Sequence, residues 1–409
     1  MAERREYDSA ALSRVARGAL CSGCGGCALV APEQVGMQVN AAGFPRPVQS
    51  APLPAEAEAR IAAICPGLGQ TVEAGARRDD PLWGPSLEMC EGWASDPDLR
   101  HAGSSGGGLS ALLVHLLDSG TVDAVVQTGA DPDLPVGNVP VVSLEGDAVA
   151  RAAGSRYAPS APLAALEPVL TDTKRYAFVG KPCDVAALRA LAVQDARVDA
   201  RIPVMLSFFC AGVPSLNGAE ALVRKMGADP RQVETFRYRG MGWPGRATAT
   251  LKGGDTVSMS YHDSWGGVLS AHVQHRCKIC ADGTGVAADI VCADAWVCDD
   301  RGYPLFEEAE GISLFVARTR TGAEVLARAQ QTGHVETRPF ERARLEAMQP
   351  GQAGRRKALL ARLAGCVVTG HPVPRYRGLQ IAAAARRNPL AQNLRNFLGT
   401  VRRGLQGRI

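Results

Sequence analysis

No stretch of this 409-residue chain is apolar for long enough to cross a bilayer. Its first residues, Met1-Ala2-Glu3-Arg4-Arg5-Glu6, are charged where a secretion signal would be apolar, and no apolar segment follows the paired arginines as twin-arginine export requires. Both absences make the cytoplasm the expected location. Net charge is only +4, too small to argue for a nucleic-acid partner. Acidic residues are missing altogether from 375–409, where arginines alternate with Leu390, Leu394, Phe397, Leu398, Val401 and Leu405. That pattern reads as a basic amphipathic helix for an anionic membrane surface or a partner, or as a disordered tail.

What is present points to redox metal chemistry. Hydrophobic residues make up 46% of the chain, enough for two or three domains, and there are 12 cysteines. Spaced cysteines in a chain of this length favour metal ligation in a reducing compartment over disulfides. Cys21, Cys24 and Cys27 recur at every third residue with glycines between them, so the backbone can turn tightly and aim N–H groups at sulfur. A 4Fe-4S cubane takes four thiolates, and Cys65, followed by Pro66, is the expected fourth. The rival is zinc, which also takes four thiolates but usually from paired Cys-x-x-Cys knuckles.

A second set is expected further on. Tyr176 to Gly180 reads as a strand, Lys181-Pro182-Cys183-Asp184 as a helix start, and Ile202 to Phe209 as a second strand ending at Cys210. A strand–helix–strand unit makes these strands parallel neighbours, with Cys183 and Cys210 on the rim where open parallel sheets bind ligands. Cys277 and Cys280 lack a nearby partner knuckle, and the rim pair completes them; Cys292 and Cys298 are the competitors. Cys90 and Cys366 have no partners by spacing and read as structural.

The His101-to-Gly108 loop, which includes Ser104, Ser105, Gly106 and Gly107, opens an apolar run from Leu109 to Leu117 and reads as a phosphate site at a helix N-terminus, or a plain turn. Ser155, Arg156 and Tyr157 form a polar loop suited to a ring and a phosphate, or an ordinary connection. The aromatic and arginine-rich stretches 236–245 and 261–266 read as a stacking surface or a core hairpin. His262, His275 and Lys181 are candidates for proton donation or charge neutralisation.

These motifs together resemble the coenzyme F420 hydrogenase/dehydrogenase beta-subunit family, which includes the plant hydroxymethyl-chlorophyll reductase and the ferredoxin-dependent divinyl chlorophyllide reductase. The resemblance rests on the Cys21–Cys27 run, Ser105-Gly106-Gly107, Gly154-Ser155-Arg156-Tyr157, Val179 to Cys183, Phe209-Cys210-Ala211-Gly212, Cys277 to Asp282 and Asp294-Ala295-Trp296. It implies an FAD-containing oxidoreductase with two 4Fe-4S clusters. The first would be held by Cys21, Cys24, Cys27 and Cys65, and the second, beside the flavin, by Cys183, Cys210, Cys277 and Cys280. Ser104, Ser105, Gly106, Gly107, Ser155, Arg156, Tyr157 and Lys181 would be flavin contacts.

The expected architecture is α/β with α+β character. A ferredoxin-like cluster module spans 1–75 and a linker 76–100. The FAD and iron–sulfur catalytic domain, built on a mostly parallel sheet, spans 101–320. A helical region follows over 321–372, and the basic tail over 373–409. The expected function is a reductase fed by ferredoxin or another one-electron carrier and acting on a small planar substrate, with homo-oligomerisation left open. The alternatives are a non-catalytic electron-transfer subunit of a larger dehydrogenase or hydrogenase-type complex, and a zinc-stabilised interaction protein.

Overall fold

A computed structural model describes residues 8–300, 304–305 and 307–409. Its centre is a sheet whose eight strands are numbered here in chain order. They are β1 (Glu88–Ala94), β2 (Ala124–Ala130), β3 (Asn138–Ser143), β4 (Tyr176–Val179), β5 (Val204–Phe208), β6 (Ile290–Asp294), β7 (Ser313–Ala317) and β8 (Val335–Pro339). Their spatial order is β8-β1-β7-β6-β5-β4-β2-β3. The middle four, β6-β5-β4-β2, are parallel, and both flanks are antiparallel. The class is therefore α/β, with a mixed sheet around a parallel centre.

The parallel strands are mostly apolar because both faces are covered. Phe178, Met205, Val291 and Leu314 pack on one side, while Ala177, Val204, Leu206, Ile290 and Phe315 pack on the other. Val179 pairs with Leu206 and Cys292 with Phe208. The seven helices that shape the site are also numbered in order: α1 (Ala10–Arg17), α2 (Gly26–Val30), α3 (Ala55–Ile64), α4 (Gly108–Asp118), α5 (Pro182–Ala192), α6 (Pro350–Val368) and α7 (Leu390–Leu405). α5 starts at a proline whose missing N–H is not needed there, and the Asp184 carboxylate accepts from the Lys181 N–H at 3.0 Å.

Two regions differ from expectation. Within 76–100, expected as linker, Glu88–Ala94 forms β1, hydrogen-bonded on both sides between β7 and β8. Its sequence, Glu-Met-Cys-Glu-Gly-Trp-Ala, lacks clean alternation, and Gly92 fits because a Cβ there would lie 2.0 Å from the Glu336 carbonyl. The 373–409 segment is folded onto the rest. Arg375–Arg377 pairs in parallel with Gly69–Thr71, and α7 packs on α6. Val15 and Leu20 from the N-terminal part share one apolar cluster with Ile279, Val286, Leu359 and Leu363. The two ends of the chain are thus packed around the Cys277–Cys280 segment.

Candidate functional site: two thiol quartets and an aromatic cavity

The first quartet is assembled by tight backbone turns. Gly23 and Gly25 have φ of +80° and +86°, which an L side chain would strain, and they fold the cysteine run back on itself into α2. Cys65 caps the C-terminus of α3, its N–H donating to the Ile61 carbonyl at 3.0 Å. Backbone N–H groups of Gly26, Ala28, and Gly67 with Leu68 point at the sulfurs of Cys24, Cys27 and Cys65 respectively. Burial, and then neighbouring thiols of the same set, push Cys24 up to about 12 and Cys65 to about 11, with Cys27 also well above its ordinary value.

The second quartet joins distant parts of the chain. Cys183 sits in the first turn of α5, Cys210 follows β5, and Cys277 and Cys280 flank the end of a short helix, His275–Lys278. All four line one small cavity. The Cys277 sulfur accepts from the Val213 N–H at 3.4 Å and Gln274 Nε2 at 3.5 Å. Asp282 shapes the following loop by accepting from the N–H groups of Thr284 and Val286, both at 3.2 Å. Burial raises Cys210 to about 12 and Cys183 well above the usual range. Gln352 and Arg355 of α6 close the cavity, donating to the Cys210 carbonyl at 3.1 and 2.7 Å. The competitors lie elsewhere: Cys292 is on β6 facing the larger cavity described below, and Cys298 is beside Arg344.

Arg276 lies between the quartets. It is 3% exposed and donates to the Pro66 carbonyl, next to Cys65, at 2.8 Å. Its Nε and Nη1 have no protein partner. Burial disfavours its charge, whereas Tyr376 and the thiols of Cys280, Cys183 and Cys277 favour it once they are ionised.

Beyond the second quartet opens a cavity of about 290 Å3 that reaches Cys210. Ser104, Ser105, Gly107 and the α4 N-terminus form one wall. Ser155, Arg156 and Tyr157 form another, and Lys181 lies next to the quartet. Gly106 does not line the cavity; with φ of +72° it turns the loop against Gly311, whose carbonyl a Cβ would meet at 2.5 Å. Ser104 Oγ accepts from the Ser155 N–H at 2.5 Å, tying the two loops together. Ser105 Oγ donates to the Ile312 carbonyl at 2.9 Å.

Arg156 departs from expectation: it donates to Asn138 Oδ1 and to the carbonyls of Pro135, Gly137 and Phe236, so its guanidinium holds the loop instead of facing a phosphate. Lys181 Nζ is likewise engaged, at 2.7 Å from Asp184 Oδ2 and 3.2 Å from Ser160 Oγ. Burial pulls its pKa down, but the Asp184 carboxylate outweighs it and keeps the ammonium charged.

The floor of the cavity is built from the two aromatic and arginine-rich stretches together with Asp294 and Trp296, a pairing the sequence did not specify. Arg239, 2% exposed, makes a bidentate pair with Asp294 at 3.0 and 2.7 Å. Its guanidinium lies 4.6 Å from the Tyr261 ring centre and 4.9 Å from that of Trp296. Tyr157 meets Trp265 at 4.8 Å. The 236–245 and 261–266 stretches are thus brought to one surface, a convergence visible in sequence only as composition. The candidate histidines are not there. His262 is exposed on a π-helical turn, and His275 packs toward His371 and Arg403; burial, then nearby cations, lower His275 to about 4.

The donor sets fit clusters better than single ions. Among the described residues, no group of three or more His, Cys, Asp or Glu side chains could hold one metal ion. A cubane spreads four thiolates over four irons, whereas zinc draws them to a point. Sulfur-directed N–H groups and an arginine with unpaired nitrogens suit an anionic cluster.

Comparison with known proteins identifies the family and the fold. Residues 89–167 match the family model described as coenzyme F420 hydrogenase/dehydrogenase, beta subunit N-term, and residues 173–343 match the C terminus of the same subunit. The chain is 26% identical over 254 residues to the F420-dependent formate dehydrogenase 1 subunit beta of Methanococcus maripaludis, covering 62% of each. It is 22% identical over 265 residues to the coenzyme F420 hydrogenase subunit beta of Methanothermobacter thermautotrophicus, covering 63% of this chain and 86% of the relative. The match thus spans less than two thirds of the formate dehydrogenase subunit. A chain of the F420-reducing NiFe hydrogenase complex from Methanosarcina barkeri shares the fold, with a TM-score of 0.52 and 21% identity over 68% of this chain and 95% of that one. Cys183, Cys210, Cys277, Cys280 and almost the whole cavity wall fall inside the matched segments, whereas Cys21, Cys24, Cys27, Cys65 and α6 lie outside them. By its two matched segments, and by the fold that carries them, the chain belongs to the coenzyme F420 hydrogenase/dehydrogenase beta-subunit family.

Proposed function

We propose that this chain is an electron-transfer subunit of a larger oxidoreductase complex, with a 4Fe-4S cluster in each quartet and FAD in the cavity. One observation carries the reading: Cys21, Cys24, Cys27 and Cys65, then Arg276, then the second quartet, then the cavity follow one another, and Cys210 belongs to both of the last two. The buried thiols of Cys24, Cys65 and Cys210, raised to about 11 or 12, stay protonated at neutral pH and are poor free nucleophiles. Metal binding is what turns such thiols into thiolates. When bound, clusters exchange single electrons and a flavin holds two, which lets one protein join both kinds of partner.

In this reading the backbone N–H groups at the start of α4 hold a phosphate of the cofactor. Tyr261 and Trp296, which line the cavity, would offer aromatic faces to its ring. The Arg239–Asp294 pair keeps that wall rigid, and Lys181 supplies a fixed positive charge between the cavity and Cys183 and Cys210. A self-sufficient FAD reductase supplied by ferredoxin is the second reading, favoured by the presence of both quartets and the cavity in one chain; the arginine-rich surface suits an acidic carrier.

Anaerobic purification followed by iron, sulfide and flavin analysis tests the proposal. About eight irons and one FAD per chain is the expected result. Zinc without flavin refutes both readings. Turnover of a planar substrate by the isolated chain with reduced ferredoxin selects the second reading over the first.

A further inference from the structure

α7 turns its most apolar side away from the protein. Leu390, Leu394, Leu398 and Leu405 are 86, 57, 54 and 78% exposed. Their spacings of four, four and seven residues place them on one side of the helix. Small and polar residues make the contact with α6 instead. Thr400 is the only buried residue of α7 and lies against Gly365, while Gly404 meets Thr369. Exposed Val368 and Leu405 flank that last contact. An amphipathic helix normally buries its apolar stripe against its own core; here the stripe is left to something outside the chain.

Charge identifies what that is. Twelve of the 45 basic residues and none of the 41 acidic ones lie beyond Glu346, so residues 1–346 carry a formal charge of −8 and the remainder +12. Arg395 and Arg402 border the leucine stripe, and Arg386, Arg387, Arg403 and Arg408 are also exposed. A second copy of the chain is a poor match, because a two-fold interface would set these acid-free arginine surfaces against each other. No helix among the described residues is long and apolar enough to cross a membrane. A leucine stripe edged by arginines has the composition of a helix lying in a lipid interface.

We propose that α7 docks this protein flat on an anionic lipid surface, with Leu390, Leu394, Leu398 and Leu405 entering the acyl boundary and Arg395 and Arg402 meeting headgroup phosphates. This extends beyond the electron-transfer reading and does not depend on it.

Flotation of the full chain with vesicles tests the proposal. The protein is expected to float with phosphatidylcholine vesicles containing phosphatidylglycerol, to stay behind with phosphatidylcholine alone, and to be released as salt rises. Arg395→Gln and Arg402→Gln should each weaken binding about fivefold. The L394E/L398E double variant should abolish flotation while keeping the wild-type circular dichroism. If that variant does not fold, the exposed arginine variants carry the test alone. No flotation with anionic vesicles overturns the proposal, as does flotation that neither set of variants reduces. A wild-type dimer that L394E/L398E converts to monomers without lipid also overturns it, by showing that a second copy covers the stripe.

Discussion

Replacing Arg276 by Gln separates a charge that serves bound clusters from an arginine that merely fastens the fold. The side chain is 3% exposed, donates to the Pro66 carbonyl, lies 5.9 Å from the Tyr376 ring centre and leaves Nε and Nη1 without a hydrogen-bond acceptor. A buried donor without a partner costs roughly 1–3 kcal/mol. In the metal-free chain, R276Q should therefore leave stability unchanged or raise it by about 1–3 kcal/mol. The loaded protein should respond in the opposite sense. A unit charge roughly 6 Å from a cluster, at an effective dielectric of about 20, interacts by about 3 kcal/mol. For a one-electron couple that is about 120 mV, an upper bound because water and the remaining backbone dipoles compensate part of it. Loss of a positive charge favours the oxidised state, so both midpoint potentials should fall by some tens of millivolts, and R276K should restore most of the shift. Urea unfolding of the metal-free protein and a redox titration followed by electron paramagnetic resonance measure the two effects. A destabilised metal-free chain with both potentials unmoved would refute the reasoning and leave Arg276 as a clamp on Pro66.

Breaking the Lys181–Asp184 pair by K181M should destabilise the protein by about 3–5 kcal/mol in urea unfolding, since a buried carboxylate is left alone; K181M/D184L should recover most of that. C280S should lower iron content by about four per chain, whereas C298S should leave it unchanged, because Cys298 lies outside both quartets. His115 is 1% exposed, and its pKa lies below 6.5 chiefly because burial disfavours the charged ring. The unfolded chain binds that proton more readily than the folded one. Stability should therefore be full above about 6.5 and decline as pH falls below it, and H115Q should flatten the decline in urea midpoints measured at several pH values.

Part of the candidate site was legible in the sequence because its geometry is local. The three-residue spacing and glycines of Cys21–Cys27 constrain the backbone directly. The Tyr176–Phe208 segment reads as strand, helix and strand because apolar runs and Pro182 mark each element, and a right-handed crossover then puts Cys183 and Cys210 on one rim. Other features were not legible. β1 looks like linker because a strand flanked by two others needs no alternation of its own. Arg156 looks like a phosphate ligand until the fold brings four acceptors around it. His262 and His275 have the right chemistry and the wrong places.

By itself, the sequence determined the α/β class, the family, and which cysteines carry a chemistry-bearing spacing, since strand and helix patterns and short ligand motifs are set by neighbours along the chain. Tertiary structure alone decided three things. Arg276 stands between the quartets, Gln352 and Arg355 close the second one, and Arg239 with Asp294 forms the cavity floor. Each unites residues tens or hundreds of positions apart. Such contacts follow from how the chain buries its apolar surface as a whole, and no local pattern encodes them.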